Sequence, residues 1–400
     1  MKIGMVHLNL AVESGDPRMF YSIAQGIKTR GHEVAVYTAR FDLLCFPGLN
    51  RGLNIVVGES SGGAEGTPRG QSLLAAIKSR WSKDRFQKEG VAAIKAKLRP
   101  DLDVLVCQND LSYVLGEYYK RVRPSTRVVW IMNNAPFYSE RKANFWMTLA
   151  SRLNAFREKR QVKRKLKGID IIVVHDEERG KLARSLGKPT VVLSIPVDFE
   201  SFYQPVKRRL AGDRSFTLLG IGSLSPTRKF EDIIQATAGL CAAGYDANAI
   251  LVCKDVRQDS GYKSMLLSLV KATGLENKVR FYFDGAGESE LRAIQSAADC
   301  FVFPNHFNIW SMAAFESMAA GLPLLTSRIT SVAEVLREGE EALFFEPGRA
   351  DQIAAAARSL IDNPEDYARI GAAGQRFVQE NLNWEKYVDR FLSTAVGAPP

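Results

Sequence analysis

The chain has 400 residues, of which 46% are hydrophobic and 24% charged, and its formal net charge is +10 at neutral pH. This length is too great for one ordinary hydrophobic core and suits two domains of roughly 150–200 residues each, and the composition excludes a disordered protein. No apolar run approaches the roughly 18–20 residues that a membrane-spanning helix needs, and the first residues lead directly into a strand pattern, so we expect a cytoplasmic protein. The positive charge favours anionic partners.

The five cysteines are scattered singly in apolar stretches, with no closely spaced pair and no neighbouring histidine. This distribution is typical of buried, reduced thiols that pack as small hydrophobic side chains. The residues are Cys45, Cys107, Cys241, Cys253 and Cys300. We therefore expect neither a metal site nor thiol chemistry.

Short β-branched runs alternate with helical patterns from the N-terminus onward, which is typical of parallel sheets with crossover helices. The predicted strands of the first half cover 2–8, 33–38, 53–57, 103–108, 127–132, 169–175 and 190–193. Long helical patterns lie between most of them, for example at 19–30 and 73–98. The rhythm breaks at 195–205, which lacks a helical period, and the polar, basic stretch 207–215 follows. We predict the linker between two domains here.

A second series begins after this linker. Its predicted strands cover 216–221, 248–253, 278–283, 300–303 and 323–326, and its helices cover 231–243, 263–273, 288–297 and 312–320. Two such series predict an α/β protein of two Rossmann-like, doubly wound domains across a cleft, with ligands at the carboxyl ends of the strands. We place the domains at 1–197 and 198–378, and we predict that a C-terminal helix at 379–400 crosses back to the first domain.

The loop 10–18 follows the first strand and leads into a helix. A turn of small residues around Gly15 would let backbone N–H groups and the positive end of the helix approach a phosphate. A glycine needed only for the tight turn explains the pattern equally well. The chain contains neither GxGxxG nor GxxxxGK[ST], which argues against a dinucleotide-dependent dehydrogenase and a P-loop nucleotidase.

The corresponding loop of the second domain, 222–230, carries Arg228 and Lys229 at the carboxyl end of that domain's first strand. An arginine fork or a lysine charge at this place could neutralise a diphosphate. A pair of surface cations is often merely solvated, so both interpretations stay open.

The stretch 304–323 reads as a loop after a strand, a helix that begins near Ser311, and a Gly-Leu-Pro stop before the next strand. Asn308 lies in the loop, and Glu316 lies in the middle of the helix among small apolar residues. A glutamate in so apolar a helix is costly unless its carboxylate finds hydrogen-bond donors. The hydroxyl groups of a ribose would supply them.

This stretch resembles the E-x7-E signature of retaining glycosyltransferases of family GT4, which usually reads E-G-F-G-x-x-x-x-E-A-M-A-x-G-x-P. Further pieces agree with the family, in its order, along nearly the whole chain. They are RGHEV at 30–34, Ser14 with Gly15, Val197 and Asp198 with Phe202 and Pro205, GSLSP at 222–226, and Ala298 with Asp299. The resemblance implies a GT-B fold with an acceptor-binding first domain and a nucleotide-sugar-binding second domain.

Carried over position by position, the resemblance implies that Glu316 binds the nucleotide ribose. It also implies that backbone amides of Gly15 and of residues 309–312 meet the diphosphate, and that Arg228 stands where the family usually has a phosphate-binding lysine. Lys229 could assist Arg228, and His306 adjoins the proposed donor loop and could touch the ligand. The residues from 309 to 312 are Ile309, Trp310, Ser311 and Met312.

Three positions depart from the family pattern. Asn308 replaces the first glutamate of the signature, which normally holds hydroxyl groups of the donor sugar, and Ser223 replaces an arginine. Asn133 or Asn134 replaces a histidine. Asn308 can still form hydrogen bonds with a sugar but has no charge to stabilise an oxocarbenium-like transition state. We take Asn308 and Asn133 as candidate catalytic residues and Ser223 as a candidate donor-binding residue.

The resemblance implies a retaining glycosyltransferase that moves a sugar from a UDP-, GDP- or dTDP-sugar to a glycan or lipid-linked acceptor, in the synthesis of a cell-surface polysaccharide or glycolipid. It implies no metal ion and no cofactor besides the donor. The substitutions at Asn308 and Ser223 leave two alternatives. One is a catalytically weak GT-B protein that binds a sugar nucleotide or glycan, and the other is a GT-B sugar-nucleotide epimerase.

Two other histidines lie beside predicted strands. His32 precedes the second strand in a turn, and we expect a structural role for it. His175 ends a predicted strand that faces the cleft, and a core role and a site role are equally open.

The segment 138–168 is strongly basic and carries aromatic and aliphatic residues at helical spacing. Such a helix suits an anionic membrane surface, so we expect peripheral contact with the cytoplasmic face of the membrane. The alternative is a helix of the first domain whose apolar side packs on the sheet and whose cations are solvated. Because no nucleic-acid-binding motif accompanies these cations, we do not expect a nucleic-acid partner.

Overall fold

A computed structural model describes residues 1–12, 15–58, 73–108, 110–133, 137, 145–255 and 260–397. Within these ranges, side chains are described except at 73–84, 110, 145–154, 260 and 288. The chain divides into two compact units. Unit 1 comprises Met1–Ile195 and Trp384–Pro400, and unit 2 comprises Pro196–Asn383.

Unit 1 begins with strands and helices in alternation. Its strands are β1 (Lys2–Val6), β2 (Asn9–Leu10), β3 (Glu33–Thr38), β4 (Arg40–Phe41), β5 (Asn54–Val57), β6 (Val104–Gln108), β7 (Arg127–Ile131), β8 (Ile171–Val174) and β9 (Thr190–Val192). Its helices up to Ile195 are α1 (Gly15–Thr29), α2 (Pro47–Asn50), α3 (Leu73–Lys97), α4 (Leu115–Val122), α5 (Phe145–Lys165) and α6 (Glu177–Arg184), with a 3-10 turn at Asp110–Val114.

The main sheet of unit 1 is parallel, with the strand order β5-β3-β1-β6-β7-β8-β9, and β2 pairs separately with β4. Apolar side chains cover both faces, and β6 and β8 are buried along their whole length. Helix α1 packs against one face through residues spaced four apart, such as Met19, Ile23 and Ile27. The chain runs outward from β1 to β5 and then crosses to β6, so the strand order reverses between β1 and β6. Doubly wound sheets bind ligands at such a switch point.

Unit 2 contains the second series of elements. Its strands are β10 (Ser215–Ser223), β11 (Asp246–Lys254), β12 (Val279–Tyr282), β13 (Cys300–Phe303), β14 (Leu324–Ser327) and β15 (Ala342–Phe345). Its helices are α7 (Phe199–Phe202), α8 (Phe230–Ala242), α9 (Ser260–Ala272), α10 (Glu288–Ala297), α11 (Met312–Ala319), α12 (Ala350–Asp362) and α13 (Pro364–Asn381), with 3-10 turns at Pro226–Arg228 and Ala333–Val335.

The sheet of unit 2 is also parallel, with the strand order β12-β11-β10-β13-β14-β15. Two apolar clusters cover it, one that includes Phe216 and Phe230 and one that includes Phe301 and Phe315. The order reverses between β10 and β13, so the switch point of this unit lies between the ends of these two strands.

After unit 2 the chain returns to unit 1 as helix α14 (Trp384–Arg390) and a π-helical turn, Phe391–Val396. Both join the apolar cluster under α1. Gly26 of α1 permits this close packing, because a Cβ at that position would lie 2.5 Å from Cγ2 of Val388. The C-terminal helix is therefore part of the core of unit 1.

Every strand that the sequence pattern predicts is present, with ends shifted by a few residues. The pattern misses β15 and the short pair of β2 and β4, and α7 forms a helical turn inside 195–205. The boundary between the units lies at 195–196, and the basic part of the predicted linker, 207–215, belongs to unit 2. The positive charge of this stretch suggests a solvated linker, but the Arg209 side chain is only 4% exposed. Its guanidinium lies over the Phe216 ring and 3.4 Å from Asp299.

None of the helices in the described part of the chain combines the length and the apolar content that crossing a bilayer requires.

Candidate functional site

Three loops of unit 2 lie side by side, because β10, β13 and β14 are neighbours in a parallel sheet. The loops follow the carboxyl ends of these strands and cover 224–229, 304–311 and 328–341. The predicted donor-binding residues of this unit lie at the end of β10, in the first two loops and in α11. The sheet therefore brings them to its switch point.

The loop after β10 carries two cations. Ser223 is the last residue of β10, and the side chain of Arg228 folds back over Gly222, where a Cβ would lie 3.2 Å from Arg228 Cδ. Lys229 has a left-handed backbone with φ of 56°, which residues with a side chain rarely adopt. Its Nζ lies 3.3 Å from Oε1 of Glu231. Backbone strain of this kind is concentrated at functional sites.

A hydrogen-bonded pair ties the loop after β13 to the start of α8. His306 Nε2 lies 2.8 Å from Oδ2 of Asp232, whose side chain is 7% exposed. Burial raises the pKa of Asp232, against the lowering effect of the His306 hydrogen bond. The hydroxyl of Tyr262 fixes the same turn by accepting from the Phe230 N–H at 3.0 Å and donating to Glu231 at 2.5 Å. The pair connects the ends of two neighbouring strands.

Helix α11 begins beside these loops. Ser311 is its N-cap and accepts a hydrogen bond from the Ala314 N–H at 3.2 Å. The first amides of a helix lack partners within the helix, and its positive end attracts anions. Glu316 lies in the second turn and is 5% exposed, and Trp310 packs on Phe315 with ring centroids 4.7 Å apart. This part of the structure offers amide donors and one buried carboxylate, which suits a phosphate and a pair of hydroxyl groups.

Asn308 contacts the loop after β14 rather than the other loops. Its Nδ2 donates to Oε1 of Glu334 at 2.8 Å, and its Oδ1 accepts a hydrogen bond from the hydroxyl of Ser331. Ser331 is fully buried and Glu334 is exposed. Because an ionised carboxylate only accepts hydrogen bonds, these contacts fix which end of the Asn308 amide faces Glu334.

Asp16 connects the loops at the switch point of unit 1. Its Oδ2 lies 3.1 Å from His7 Nε2, and its Oδ1 accepts from Gln108 Nε2 at 2.7 Å and from the Asn133 amide. The Nδ1 of His7 accepts from the Asn9 N–H, so the ring donates to Asp16 through Nε2. Burial raises the pKa of Asp16, but the hydrogen bonds from His7 and Gln108 outweigh it, and the net shift is downward.

His175 adjoins this cluster at the end of β8. Its Nε2 lies 2.8 Å from Oδ1 of Asn133 and its Nδ1 lies 3.0 Å from the Leu193 carbonyl oxygen. Burial lowers the pKa of His175 to about 4, so the ring is neutral at pH 7. Arg179 Nε donates to the Asn133 carbonyl oxygen at 2.8 Å. Asn133 is thus held through its backbone and through both ends of its amide.

The structure divides the predicted site residues between two sheet edges. In unit 1, Asn133 joins the Asp16 cluster, and Gly15 is the exposed first residue of α1. Asn134 and Ser14 lie outside the described residues. The residues in unit 2 are Ser223, Arg228, Lys229, His306, Asn308, Ile309, Trp310, Ser311, Met312 and Glu316.

Sequence reasoning missed several polar residues that hold these sites together. Asp16 and Asp232 each lie in the first turn of a helix, where an acidic residue is a common partner of the helix dipole and gives no distinct signal. Glu334 lies in a polar loop that resembles any solvated surface. Only the contacts with Asn133, His306 and Asn308 reveal them.

Within the described ranges, no group of three or more His, Cys, Asp or Glu side chains is placed to hold a metal ion. The thiols of Cys107, Cys253 and Cys300 are buried, and burial raises the pKa of each.

A sequence model of the family described as glycosyl transferases group 1 matches residues 206–377, which lie in unit 2. An MMP alpha-(1->4)-mannosyltransferase of Mycolicibacterium hassiacum is 31% identical over 102 residues, which are 25% of this chain and 25% of that protein. A GDP-mannose-dependent alpha-(1-6)-phosphatidylinositol dimannoside mannosyltransferase of Mycobacterium tuberculosis is 26% identical over 211 residues, which are 51% of each. The chain spans between a quarter and half of the length of these two curated relatives.

Among solved structures, HepE of Anabaena in complex with UDP has a TM-score of 0.72 to this chain at 15% identity, and the likeness covers 99% of this chain and 100% of that chain. A likeness at this identity concerns the fold, and it confirms the predicted α/β fold class, two domains each with a parallel sheet between helices. The family match and the structural likeness agree with each other. Residues 206–377 therefore resemble the glycosyl transferases group 1, and the chain has the two-domain α/β architecture of the GT-B fold.

Proposed function

We propose that the protein is a retaining glycosyltransferase that takes a sugar from a nucleotide-sugar donor and passes it to a hydroxyl group of a glycan or lipid-linked acceptor. The observation that carries this proposal is Glu316, a buried carboxylate in α11 beside the switch-point loops of unit 2. A carboxylate in this environment accepts hydrogen bonds from the two hydroxyl groups of a ribose. The first amides of α11, with Arg228 and Lys229, would balance the charge of the diphosphate.

In the proposed reaction, the bond between the anomeric carbon and the diphosphate oxygen breaks, and the acceptor oxygen bonds to that carbon. The acceptor hydroxyl proton passes to the departing phosphate oxygen, so protons and electron pairs balance without a metal or a covalent nucleophile. Negative charge grows on the nucleoside diphosphate as the bond breaks, and Arg228, Lys229 and the N-terminus of α11 stabilise it. Retention requires the acceptor to attack from the face that the leaving group occupies.

We assign acceptor binding to unit 1, at the edge where Asn133 lies. After its contacts with Asp16 and His175, the Asn133 amide keeps one N–H and one lone pair. A sugar hydroxyl, which both donates and accepts, matches that pair. Gly15, next to Asp16, would offer its backbone N–H to a phosphate oxygen.

The relatives support a proposal for the chemical class of the donor and of the acceptor. The name of the Mycobacterium tuberculosis relative gives GDP-mannose as donor and a phosphatidylinositol dimannoside as acceptor, and HepE has been solved with UDP-glucose. For this chain we propose a UDP-, GDP- or dTDP-sugar as donor, and an acceptor of a cell-surface polysaccharide or glycolipid pathway.

We also propose that the protein is cytoplasmic and contacts an anionic membrane through α5. Val162 and Leu166 pack into the core of unit 1, whereas Phe156 is 66% exposed. An exposed apolar anchor among cations suits an acidic headgroup layer. The exposed cations of this segment are Arg157, Arg160, Lys163, Arg164, Lys165 and Lys167. The segment 138–144, which belongs to the same prediction, lies outside the described residues.

A second candidate is a catalytically weak protein that binds a sugar nucleotide without transferring the sugar. Two observations favour it. Ser223 and Asn308 carry no charge, and both ends of the Asn308 amide are already engaged by Glu334 and Ser331.

The test is a calorimetric screen with UDP, GDP, dTDP and their sugar esters, followed by assays of donor hydrolysis and transfer. We expect one nucleotide series to bind and Glu316→Ala to abolish that binding, while Glu276→Ala, at an exposed glutamate of unit 2, leaves it unchanged. Equal nucleotide affinity in wild type and Glu316→Ala would contradict the assignment of Glu316 to the nucleotide site. Binding without turnover on any acceptor would favour the second candidate.

A further inference from the structure

We propose that Glu334 binds hydroxyl groups of the donor sugar and that Asn308 is a positioning residue that holds the Glu334 carboxylate in place. The inference rests on the proposed function, because it assigns a role within the same donor site. It moves the direct sugar contact from the loop after β13 to the loop after β14.

The first step of the argument is the geometry of the pair. Asn308 Nδ2 donates to Oε1 of Glu334 at 2.8 Å, and the buried Ser331 hydroxyl holds the other end of the amide. A carboxylate has about four lone-pair positions, of which Asn308 takes one. The exposed Glu334 side chain therefore keeps most of its capacity to accept hydrogen bonds from vicinal hydroxyl groups.

The second step is the rigidity of the loop that carries Glu334. Thr326 Oγ1 and Thr330 Oγ1 lie 3.0 Å apart, and the Thr330 hydroxyl also lies 2.9 Å from the Ser327 carbonyl oxygen. The Ala333 N–H donates to the Thr330 hydroxyl at 3.3 Å, one residue before Glu334. Thr326, Ser327 and Thr330 are fully buried. A loop fixed by buried hydrogen bonds presents its carboxylate in a preorganised position.

The third step is the charge. A glutamate at position 308 would set a second carboxylate within hydrogen-bond distance of Glu334, and two like charges this close cannot both stay ionised without a large cost. An asparagine at 308 avoids this repulsion and donates to the carboxylate instead. At the contact between residue 308 and the loop after β14, the negative charge therefore belongs to Glu334.

The experiment measures dissociation constants for UDP against UDP-glucose and for GDP against GDP-mannose by calorimetry. The sugar increment, defined as the ratio of the nucleoside diphosphate constant to the nucleotide-sugar constant, isolates contacts to the sugar. We expect Glu334→Gln to lower this increment by about 10- to 100-fold, as for loss of a hydrogen bond to a charged group, with the nucleoside diphosphate constant unchanged. Glu338→Gln, at an exposed glutamate paired with Arg328 in the same loop, is the matched control and leaves the increment unchanged.

The exchange of the two residues tests the positioning role. Asn308→Glu alone lowers the increment because of charge repulsion, and the double variant Asn308→Glu with Glu334→Gln recovers it to within about tenfold of wild type. An undiminished increment in Glu334→Gln, in a wild type that binds the nucleotide sugar, overturns this inference and leaves the proposed function intact. A wild type that binds none of these four nucleotides, and neither dTDP nor a dTDP-sugar, overturns the proposed function and this inference with it. If Asn308→Glu fails to fold, the sugar increment of Glu334→Gln alone tests the inference.

Discussion

The Nε2 of His175 lies 2.8 Å from Oδ1 of Asn133, although the other ring nitrogen already faces the Leu193 carbonyl oxygen at 3.0 Å. A neutral imidazole has one N–H, and both of these oxygens only accept, so the neutral ring can donate to one of them and not to both. The Asn133 amide can supply the missing N–H only by turning over, which would present its oxygen to the Asp16 carboxylate. A neutral His175 therefore leaves one of its two contacts without a proton.

Acidification should destabilise the protein through His175. Its pKa is about 4 in the folded protein and near 6.5 in the unfolded chain, so the unfolded chain binds more protons between these values. The stability that the neutral ring contributes is complete above its unfolded pKa and is lost as the pH falls toward its folded pKa. We expect a loss of about 2 kcal/mol from this residue between about pH 7.5 and pH 5, measured by urea unfolding. His175→Gln should remove that part of the pH dependence, and an unchanged slope would contradict the assignment.

Arg228 should contribute to binding of the diphosphate and not of the nucleoside. We expect Arg228→Ala to weaken UDP or GDP binding by about tenfold or more, since charge-assisted hydrogen bonds contribute roughly 1.5–3 kcal/mol. Binding of the matching nucleoside, uridine or guanosine, should not change. Calorimetry checks both, with Arg358→Ala at an exposed arginine of α12 as control. Equal losses for nucleotide and nucleoside would indicate a structural defect instead.

Gly26 should not tolerate even a methyl group. A Cβ there would lie 2.5 Å from Cγ2 of Val388, so Gly26→Ala should destabilise unit 1 by about 1–3 kcal/mol through overpacking. In an open helical position the same change stabilises by roughly 0.5–1 kcal/mol. Gly239→Ala in α8, where the nearest atom is Ala354 Cβ at 3.7 Å, is the matched control. Denaturant unfolding measures each variant, and Val388→Ala combined with Gly26→Ala should recover part of the loss; additive costs would refute the contact.

Membrane contact through α5 should depend on Phe156 and on the surrounding cations. We expect Phe156→Ser to reduce binding to vesicles of 30% phosphatidylserine in phosphatidylcholine by about 10-fold or more, since burial of a phenylalanine contributes roughly 1.5–3 kcal/mol. Added salt should weaken binding because it screens the cations. The matched control is Tyr203→Ser, at an exposed aromatic residue of unit 2. Sedimentation measures binding, and equal binding by wild type and Phe156→Ser would exclude this contact.

The alternating strands and helices could be predicted from the sequence because buried parallel strands carry their own signal of β-branched runs. β6 and β8, for example, are apolar and buried along nearly their whole length. Strand β15 was missed because its LFF run follows a polar loop and only its pairing with β14 defines it. The turn α7 was missed because four residues are too few to show a helical period.

The candidate site could be predicted only in part. Glu316 stands out in the sequence as a charged residue in an apolar helix, and Arg228 and Lys229 follow a strand directly. The partners Asp16 and Glu334 do not stand out, because their contacts cross 117 residues to Asn133 and 26 residues to Asn308. Hydrogen bonds over such separations are set by the strand order and leave no local pattern.

The return of α14 to unit 1 has a consequence for biosynthesis. Tyr387, Val388 and Phe391 fill the cluster under α1, yet the ribosome makes them after all of unit 2. In the nascent chain, the apolar surface of unit 1 that these residues cover therefore stays exposed while nearly two hundred further residues are synthesised. Chaperones that recognise exposed apolar surface have their longest access to this protein during that interval.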